Sequence, residues 1–448
     1  MSDTQKVHII SLGCARNLVD SENMAGLLQG NNGYKLSDHA NEADIIIVNT
    51  CGFIDEAKQE SIDTILNAAE NKKTGSCKKL VVTGCLSERY PQELKDSLPE
   101  VDLITGTAAF PRIVEELESL KNSSSSEPMV KIHTDRAKDY DLPRANSLSS
   151  HSAYLKLAEG CAKRCSFCII PKLRGALRSR SVESLVIEAQ SLVKNGIREI
   201  NLIAQDLTDY GRDRKDGATL AGLLKELVKI DDLKWLRLFY VYPDQLSDDV
   251  IQLVRDEEKI CKYLDVPIQH ISDKILTRMN RHTNKEQIRS MIARLKKEIP
   301  NIFIRTSLMV GFPGETEEDF LELKNFVQEG LLDHVGVFTY SHEEGTPSFR
   351  LPDDVPADVK KQRQAEIYAI QEEILNKNLR SLVGQTLEVL VEGTHPETDL
   401  LLKGRFFGQA PQVDNMVIIQ EGQADIGSFK RVEIRDVAGM DLVGGIVS

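Results

Sequence analysis

Three cysteines share one ten-residue window, Glu159-Gly-Cys161-Ala-Lys-Arg-Cys165-Ser-Phe-Cys168, with the spacing CxxxCxxC. Thiolates are soft ligands that select iron–sulfur clusters, zinc or Cu(I). A structural zinc site closes on four ligands, and this window supplies three. The nearest histidine, His151, lies ten residues upstream, and no other cysteine is local. Three thiolates on a cubane cluster leave one iron open, and an open iron can bind a substrate. A zinc knuckle that borrows a distant ligand is the competing assignment.

A second trio is scattered but sits in matching contexts. Cys14, Cys51 and Cys85 each follow an apolar, largely β-branched run: Val7-His-Ile-Ile-Ser-Leu-Gly-Cys14, Asp44-Ile-Ile-Ile-Val-Asn-Thr-Cys51 and Lys79-Leu-Val-Val-Thr-Gly-Cys85. Such runs read as buried strands. Helical patterns follow the first two, at Asn17–Leu28 and Asp55–Ala69. Strands alternating with helices imply a parallel sheet, whose carboxyl strand ends share one edge where ligands collect. Three strand-end cysteines therefore converge on one rim, as a second three-thiolate cluster would require. Three small core cysteines would be the bland alternative, since free cysteine is often buried. Cys77 and Cys261 fall outside both trios.

The elements that must position the first trio follow residue 150. Candidate strands are Tyr154–Ala158, Glu199–Ala204, Leu236–Val241, Tyr263–Ile268, Ile302–Met309 and His334–Thr339, separated by helical patterns such as Val182–Asn195 and Glu317–Gln328. Six strand–helix units suggest a parallel barrel, open or closed, with the CxxxCxxC loop after its first strand, on the face that carries chemistry in such folds. Polar strand ends point to the same rim: Gln205-Asp206, Tyr242-Pro243, Gln269-His270 and Gly311-Phe-Pro-Gly314-Glu315. Gln205, Asp206, Gln269, His270, Gly311, Gly314 and Glu315 are the candidate cofactor-binding residues. The glycines fit a tight turn and also a close backbone approach to a ligand.

Composition bounds the rest. A chain of 448 residues holds several domains. Its 41% hydrophobic content is ordinary for a globular protein. The start, Met1-Ser-Asp-Thr-Gln-Lys, carries no secretory signal pattern, and no apolar run reaches membrane-spanning length, so the expected location is cytoplasmic. Eight cysteines in such a chain argue for metal or catalytic use rather than disulfides. Net charge is −13, with a pI near 5.3, which opposes strong RNA binding and suits a basic protein partner or a small-molecule substrate.

The Ser-rich stretch Lys121–Pro128 reads as a linker. Val355–Leu382 reads as one long amphipathic helix, with Ile367, Ile370, Ile374 and Leu375 at helical spacing. Beyond it, short β-type runs at Leu387–Val391, Met416–Ile419 and Lys430–Ile434 suggest a small β module. That tail, residues 384–448, holds ten acidic residues against five basic ones, a formal −5.

Longer motifs accompany both trios: Ser11–Glu22, Asn49–Phe53, Tyr154–Cys161, Ile170–Gly175, Val266–His270, Val310–Thr316 and Tyr340–Thr346. With the three-part layout, they resemble the methylthiotransferases of the radical S-adenosyl-L-methionine (SAM) group over nearly the whole chain. The positions after the first cysteine hold Ala15-Arg16-Asn17, where the tRNA-modifying branch typically carries Gln-Met-Asn. The likeness is to the branch that methylthiolates the β-carbon of an aspartate on small-subunit ribosomal protein twelve. Ala162 and Ser166 depart from residues common in that branch, and neither is a ligand.

The resemblance implies an N-terminal parallel-sheet α/β domain (1–122), a linker (123–146), a central radical SAM (β/α)6 partial barrel (147–380) and a small all-β TRAM module (381–448). It also implies two 4Fe-4S clusters, one on Cys161, Cys165 and Cys168 with SAM on its open iron, the other on Cys14, Cys51 and Cys85. An unactivated C–H bond is beyond acid–base groups at neutral pH, so a radical cofactor must break it. The first cluster would reduce SAM to give a deoxyadenosyl radical, the second would carry sulfur, and a second SAM would supply the methyl group. An electron donor such as flavodoxin or ferredoxin is implied as partner. The rivals are a tRNA adenosine methylthiotransferase, which should carry a basic tail, and a non-catalytic zinc-stabilised binding protein.

Overall fold

The computed structural model describes residues 4–122, 127–136 and 141–447. The Ser-rich positions 123–126, and 137–140 of the expected linker, lie outside the described residues. The chain divides into two compact units. One comprises Met1–Leu148, Tyr154–Lys163 and Cys168–Glu188, and the other Ser149–Ala153, Arg164–Phe167 and Ala189–Ser448.

The first unit is built on six parallel strands, β1 (Gln5–Ser11), β2 (Tyr34–Leu36), β3 (Ile45–Thr50), β4 (Lys79–Gly84), β5 (Leu103–Thr105) and β6 (Met129–Lys131), in the order β2-β1-β3-β4-β5-β6. β3 is buried at every position, as a parallel strand covered on both faces must be. Helix α1 (Ala15–Gln29) sends Met24 and Leu28 into one face with Val7, Ile45 and Ile47. Helix α2 (Asp55–Thr74) sends Ile65 and Ala68 into the other with Ile46, Val48 and Leu80. The chain thus leaves β1 and β3 toward opposite faces, and the strand order reverses between them. That crevice, beyond the carboxyl ends of β1 and β3, is where open α/β sheets bind ligands. The three-residue strands β2, β5 and β6 carry too few positions for a period-2 pattern to register; β6 lies in the stretch expected as linker. Cys77 packs in the core under α2.

The same unit holds an antiparallel pair, β8 (Ala158–Glu159) with β9 (Arg178–Ser179), which follows β7 (Ser152–Lys156).

The second unit carries parallel strands β10 (Glu199–Ile203), β11 (Trp235–Leu238), β12 (Ile260–Asp265), β13 (Phe303–Val310) and β14 (His334–Thr339), side by side in chain order. Ser152 and Ala153 of β7 bond to Glu199 and Asn201 at the β10 edge. The six strands form one open sheet rather than a closed ring. Cys261 is buried within β12. The long helix runs Ala357–Arg380 and packs its last turns, Leu375 and Leu379, into the core of the tail.

That tail is a closed five-stranded barrel of β15 (Thr386–His395), β16 (Thr398–Phe406), β17 (Val417–Glu421), β18 (Phe429–Ala438) and β19 (Asp441–Ile446), in the order β15-β16-β17-β19-β18. β16 and β19 have no counterpart among the expected runs. Lys403 and Arg405 interrupt one and Gly444-Gly445 the other, and pairing on both sides overrides weak local preference. Among the described residues, no helix is long and apolar enough to cross a membrane.

Candidate functional site

Cys14, Cys51 and Cys85 follow the carboxyl ends of β1, β3 and β4, and missing side chains bring their loops together. Gly13 has φ +82°, and a Cβ there would sit 2.7 Å from Cys51 Cβ and 2.8 Å from its Sγ. A Cβ on Gly52 would sit 3.0 Å from the Cys85 carbonyl carbon. Ser61 of α2 clamps the middle loop: its Oγ accepts from Cys51 N–H at 3.0 Å and donates to Cys51 O at 2.8 Å. Asn17 Nδ2 donates to Leu12 O at 2.8 Å and Asn49 O at 3.1 Å, tying the Cys14 loop to β3. Among the described residues, no three Cys, His, Asp or Glu side chains already form an ion-binding group. The fit to a three-thiolate cluster therefore rests on the donor chemistry and on the convergence of the three loops.

Charge surrounds these thiols. Arg174 and Lys156 are both buried, at 1% and 0% exposure. Arg174 Nη1 donates to Asp20 Oδ2 and to Glu159 Oε2, each at 2.9 Å, and Nη2 donates to Asn17 Oδ1 at 3.1 Å. Lys156 Nζ donates to the same Asp20 and, at 2.8 Å, to Glu159 Oε2. Burial pushes the Cys14 thiol up, but the Arg16 and Arg174 guanidiniums overcome it and leave its pKa below the usual thiol value. Burial wins at Cys51, and at Cys85 it pushes the pKa up to about 11 against the pull of Arg174. Cys85 packs with Ile169 and Leu173, so its neighbourhood is apolar on one side and cationic on the other.

Cys161 and Cys168 belong to the first unit and Cys165 to the second. Cys161 N–H donates to Gly175 O at 3.2 Å, next to Arg174, and Lys163 N–H points to Cys161 Sγ at 3.4 Å. In the second unit Arg281 Nη1 points to Cys165 Sγ at 3.8 Å, its Nη2 donates to Pro267 O at 2.5 Å, and its guanidinium stacks 4.1 Å from the Tyr242 ring centroid. The neighbouring Ser166 is fixed through its N–H to Met279 O and its Oγ to Arg278 O.

The strand-end candidates all lie in the second unit and divide by role. Asp206 is buried and caps the short turn after β10, accepting from Thr208 N–H at 2.9 Å. His270 is fully buried; its Nδ1 accepts from Ser272 N–H at 2.9 Å, and burial pushes its pKa down to about 3, so the ring is neutral. Glu315 accepts from Gly311 N–H at 2.8 Å and Phe312 N–H at 3.3 Å, and pairs with Arg363 at 2.7 Å. Burial pushes the Glu315 carboxyl up to about 7 in spite of Arg363. These three side chains brace the loops that carry them. Gln205 is half-buried after β10. Gln269 has φ +70°, and its backbone bridges to β13 beside Leu308. Gly311 and Gly314 have φ +73° and +81°, with Lys360 and Arg278 filling the space that side chains would need.

Arg174, Lys156, Asp20, Glu159 and Arg281 are absent from the sequence-derived site. Their signal was present: a charged residue inside an apolar run, as in Tyr154-Leu-Lys156-Leu-Ala, must find buried partners.

Three family profiles match the chain: uncharacterized protein family UPF0004 over residues 6–106, the Radical SAM superfamily over 155–327 and the TRAM domain over 383–447. The ribosomal protein uS12 methylthiotransferases RimO of Geotalea uraniireducens (strain Rf4) and Geobacter sulfurreducens (strain ATCC 51573 / DSM 12127 / PCA) are each 52% identical to it. They cover 99% of this chain, and 98% and 99% of their own length is matched. The chain belongs to the RimO family. The same-named protein of Bdellovibrio bacteriovorus is 44% identical over 100% of this chain and 98% of its own. As a radical SAM protein, a RimO-family chain uses SAM and a 4Fe-4S cluster. Among solved structures, the radical SAM methyltransferase TsrM from Kitasatospora setae, with tryptophan substrate and a SAM analog bound, aligns with TM-score 0.55 at 15% identity. The alignment covers 74% of this chain and 72% of that one. At that identity the likeness is one of fold.

Proposed function

We propose that this chain adds a methylthio group to the β-carbon of an aspartate on ribosomal protein uS12. Cys161, Cys165 and Cys168 hold the cluster that binds SAM, and Cys14, Cys51 and Cys85 hold a second 4Fe-4S cluster. The carrying observation is the convergence of three cysteine-bearing loops, far apart in sequence, at the carboxyl edge of the first sheet, in a chain that matches RimO proteins over 99% of its length. When bound, the clusters and SAM supply one-electron reduction, hydrogen abstraction and sulfur.

The chain's own residues hold and orient. Gln205, Asp206, Gln269, His270, Gly311, Gly314 and Glu315 would hold SAM, and Asp206, His270 and Glu315 also brace the loops that carry them. His270, neutral with Nδ1 already accepting, keeps its remaining proton on Nε2 and presents no charge. Arg281 points an N–H at Cys165 and is held in place by Tyr242 and Pro267. The organisation into 1–122, 123–146, 147–380 and 381–448, and a small electron carrier such as flavodoxin or ferredoxin, complete the reading.

Mass spectrometry of uS12 after co-expression tests it: one methylthio group on an aspartate supports the assignment, and an unmodified uS12 with methylthiolated tRNA selects the RNA-modifying branch. Anaerobically reconstituted protein should hold about eight irons, as two cubane clusters require. A colourless zinc protein selects the non-catalytic alternative.

A further inference from the structure

The first unit contains a charge arrangement that the ligand set alone does not require. Lys156 and Arg174 share the carboxylates of Asp20 and Glu159, so two cations and two anions close a buried network. That network pins the stretch after β7 to α1, which accounts for Lys156 fully. Arg174 is placed differently: its partner Asn17 donates its N–H to Cys14 O at 2.9 Å, the adjacent Leu173 packs with Cys85, and the guanidinium pulls down the pKa of both thiols. Asn17 fixes the other end of the fork at 3.1 Å, and Asn17 is itself bonded to the loop that carries Cys14. A guanidinium cannot shed its proton at any relevant pH. Burying one is costly unless every partner is present. Its charge is therefore a permanent part of the thiol site.

We propose that Arg174 is a positioning residue for the Cys14–Cys51–Cys85 site, and that its fixed positive charge raises the reduction potential of the cluster held there. This inference rests on the two-cluster reading above. Reduction adds one negative charge to a site whose Cys85 and Arg174 are buried and whose Cys14 and Cys51 are half-buried. A cation held beside the ligating sulfurs stabilises that charge more in a low-dielectric interior than it would in water. Net charge and hydrogen bonds to the sulfurs are the terms by which a protein sets such potentials. Asp20 acts with the opposite sign through the same contact.

The test uses the full chain with Cys161, Cys165 and Cys168 changed to alanine, so that only the second site can hold iron. The chain is reconstituted anaerobically, and its midpoint potential is read by EPR-monitored titration. In that background Arg174→Gln should lower the midpoint by at least about 59 mV, a tenfold change in a one-electron equilibrium. Arg174→Lys should restore most of the loss. Asp20→Asn should move the midpoint upward. A purely structural role predicts lower iron content with an unmoved potential in the loaded fraction, and that result overturns the inference. If Arg174→Gln loses its iron, Asp20→Asn decides: an upward shift supports the charge effect and an unmoved midpoint overturns it. A parent protein that binds no iron overturns the two-cluster reading, and the inference with it. A loaded parent insensitive to position 174 overturns the inference alone.

Discussion

The two thiolate trios are built in opposite ways. Cys161, Cys165 and Cys168 are neighbours in sequence, so chain continuity keeps them together in any conformation of one loop. Cys14, Cys51 and Cys85 are 37 and 34 positions apart and meet only because β1, β3 and β4 lie side by side in register. The first trio is a property of a loop and the second a property of a folded sheet. On the proposed two-cluster reading, damage to the sheet should cost the second cluster while sparing the first, so that the two trios should empty separately.

The largest effects are expected at the proposed ligands. Cys165→Ala should abolish reductive cleavage of SAM, measured as deoxyadenosine released under dithionite. Cys51→Ala should leave that cleavage measurable while methylthiolation of uS12 stops. If Cys51→Ala removes cleavage with the CxxxCxxC iron still present, the division of labour between the trios is wrong.

Next come the two glycines that shape the loops. Gly13→Ala puts a methyl group against Cys51 at a φ of +82°, which a side-chain-bearing residue adopts at a cost of about 1–2 kcal/mol before any clash. It should halve the iron content by emptying the sheet-built site. Gly160 has φ +77°, and its Cβ position lies 2.1 Å from Ala176 O. Gly160→Ala should therefore remove the other half of the iron and SAM cleavage with it. Equal loss from both sites in either variant would mean that the trios do not fold independently.

This contrast also explains what could be read in the sequence. The CxxxCxxC loop is visible as a string. The second trio was legible because each cysteine ended a β-branched run, and a parallel sheet has only one carboxyl edge. The buried ions were not legible: Lys156 and Arg174 pair with Asp20, more than 130 residues away in sequence, and no local pattern encodes that meeting. The tail shows the same limit. Its formal charge suggested an acidic surface, yet Arg405, Glu392 and Asp414 point inward. Arg405 forks onto Glu199 at 3.1 and 2.6 Å and reaches Glu392 at 2.8 Å. Asp414 accepts from Tyr263 at 2.7 Å.

Where the buried network of the first unit surrounds thiols, that of the second fastens the small barrel to the parallel sheet. Arg405→Met should destabilise the second unit by about 3 kcal/mol, because Glu199 loses its bidentate partner in a dry site, as read from denaturant unfolding of the full chain. The potential at the Cys14 site should not move. Burial alone would raise the Glu199 carboxyl, but Arg405 and Arg237 outweigh it and hold its pKa down at about 2. The folded state therefore binds this proton more weakly than the unfolded state. The resulting stability is fully present above about pH 4.3, the ordinary glutamate value, and is lost as pH falls toward 2. Arg405→Met should flatten the acid limb of the stability profile; an unchanged acid limb would assign the acid sensitivity to other groups.

The smallest expected effect concerns the exposed face of the small barrel, the region least like either thiolate site. Glu388, Asp425 and Asp436 are exposed there, whereas Glu392 and Asp414 are held inside by the contacts described above. A ribosomal protein is basic because it contacts ribosomal RNA, so exposed carboxylates on its modifying enzyme should steer encounter without adding much to bound-state affinity. Changing Glu388, Asp425 and Asp436 together to lysine should slow association with uS12 by about three- to tenfold at low salt. The difference should shrink as the screening length falls below about 8–10 Å at and above physiological ionic strength. SAM cleavage without substrate should be unaffected, since none of the three positions adjoins a thiol. Stopped-flow association rates across a salt series make the measurement. Equal rates for the two proteins at the lowest salt would reduce these carboxylates to a solubilising role, and would leave recognition of uS12 to surfaces outside the small barrel.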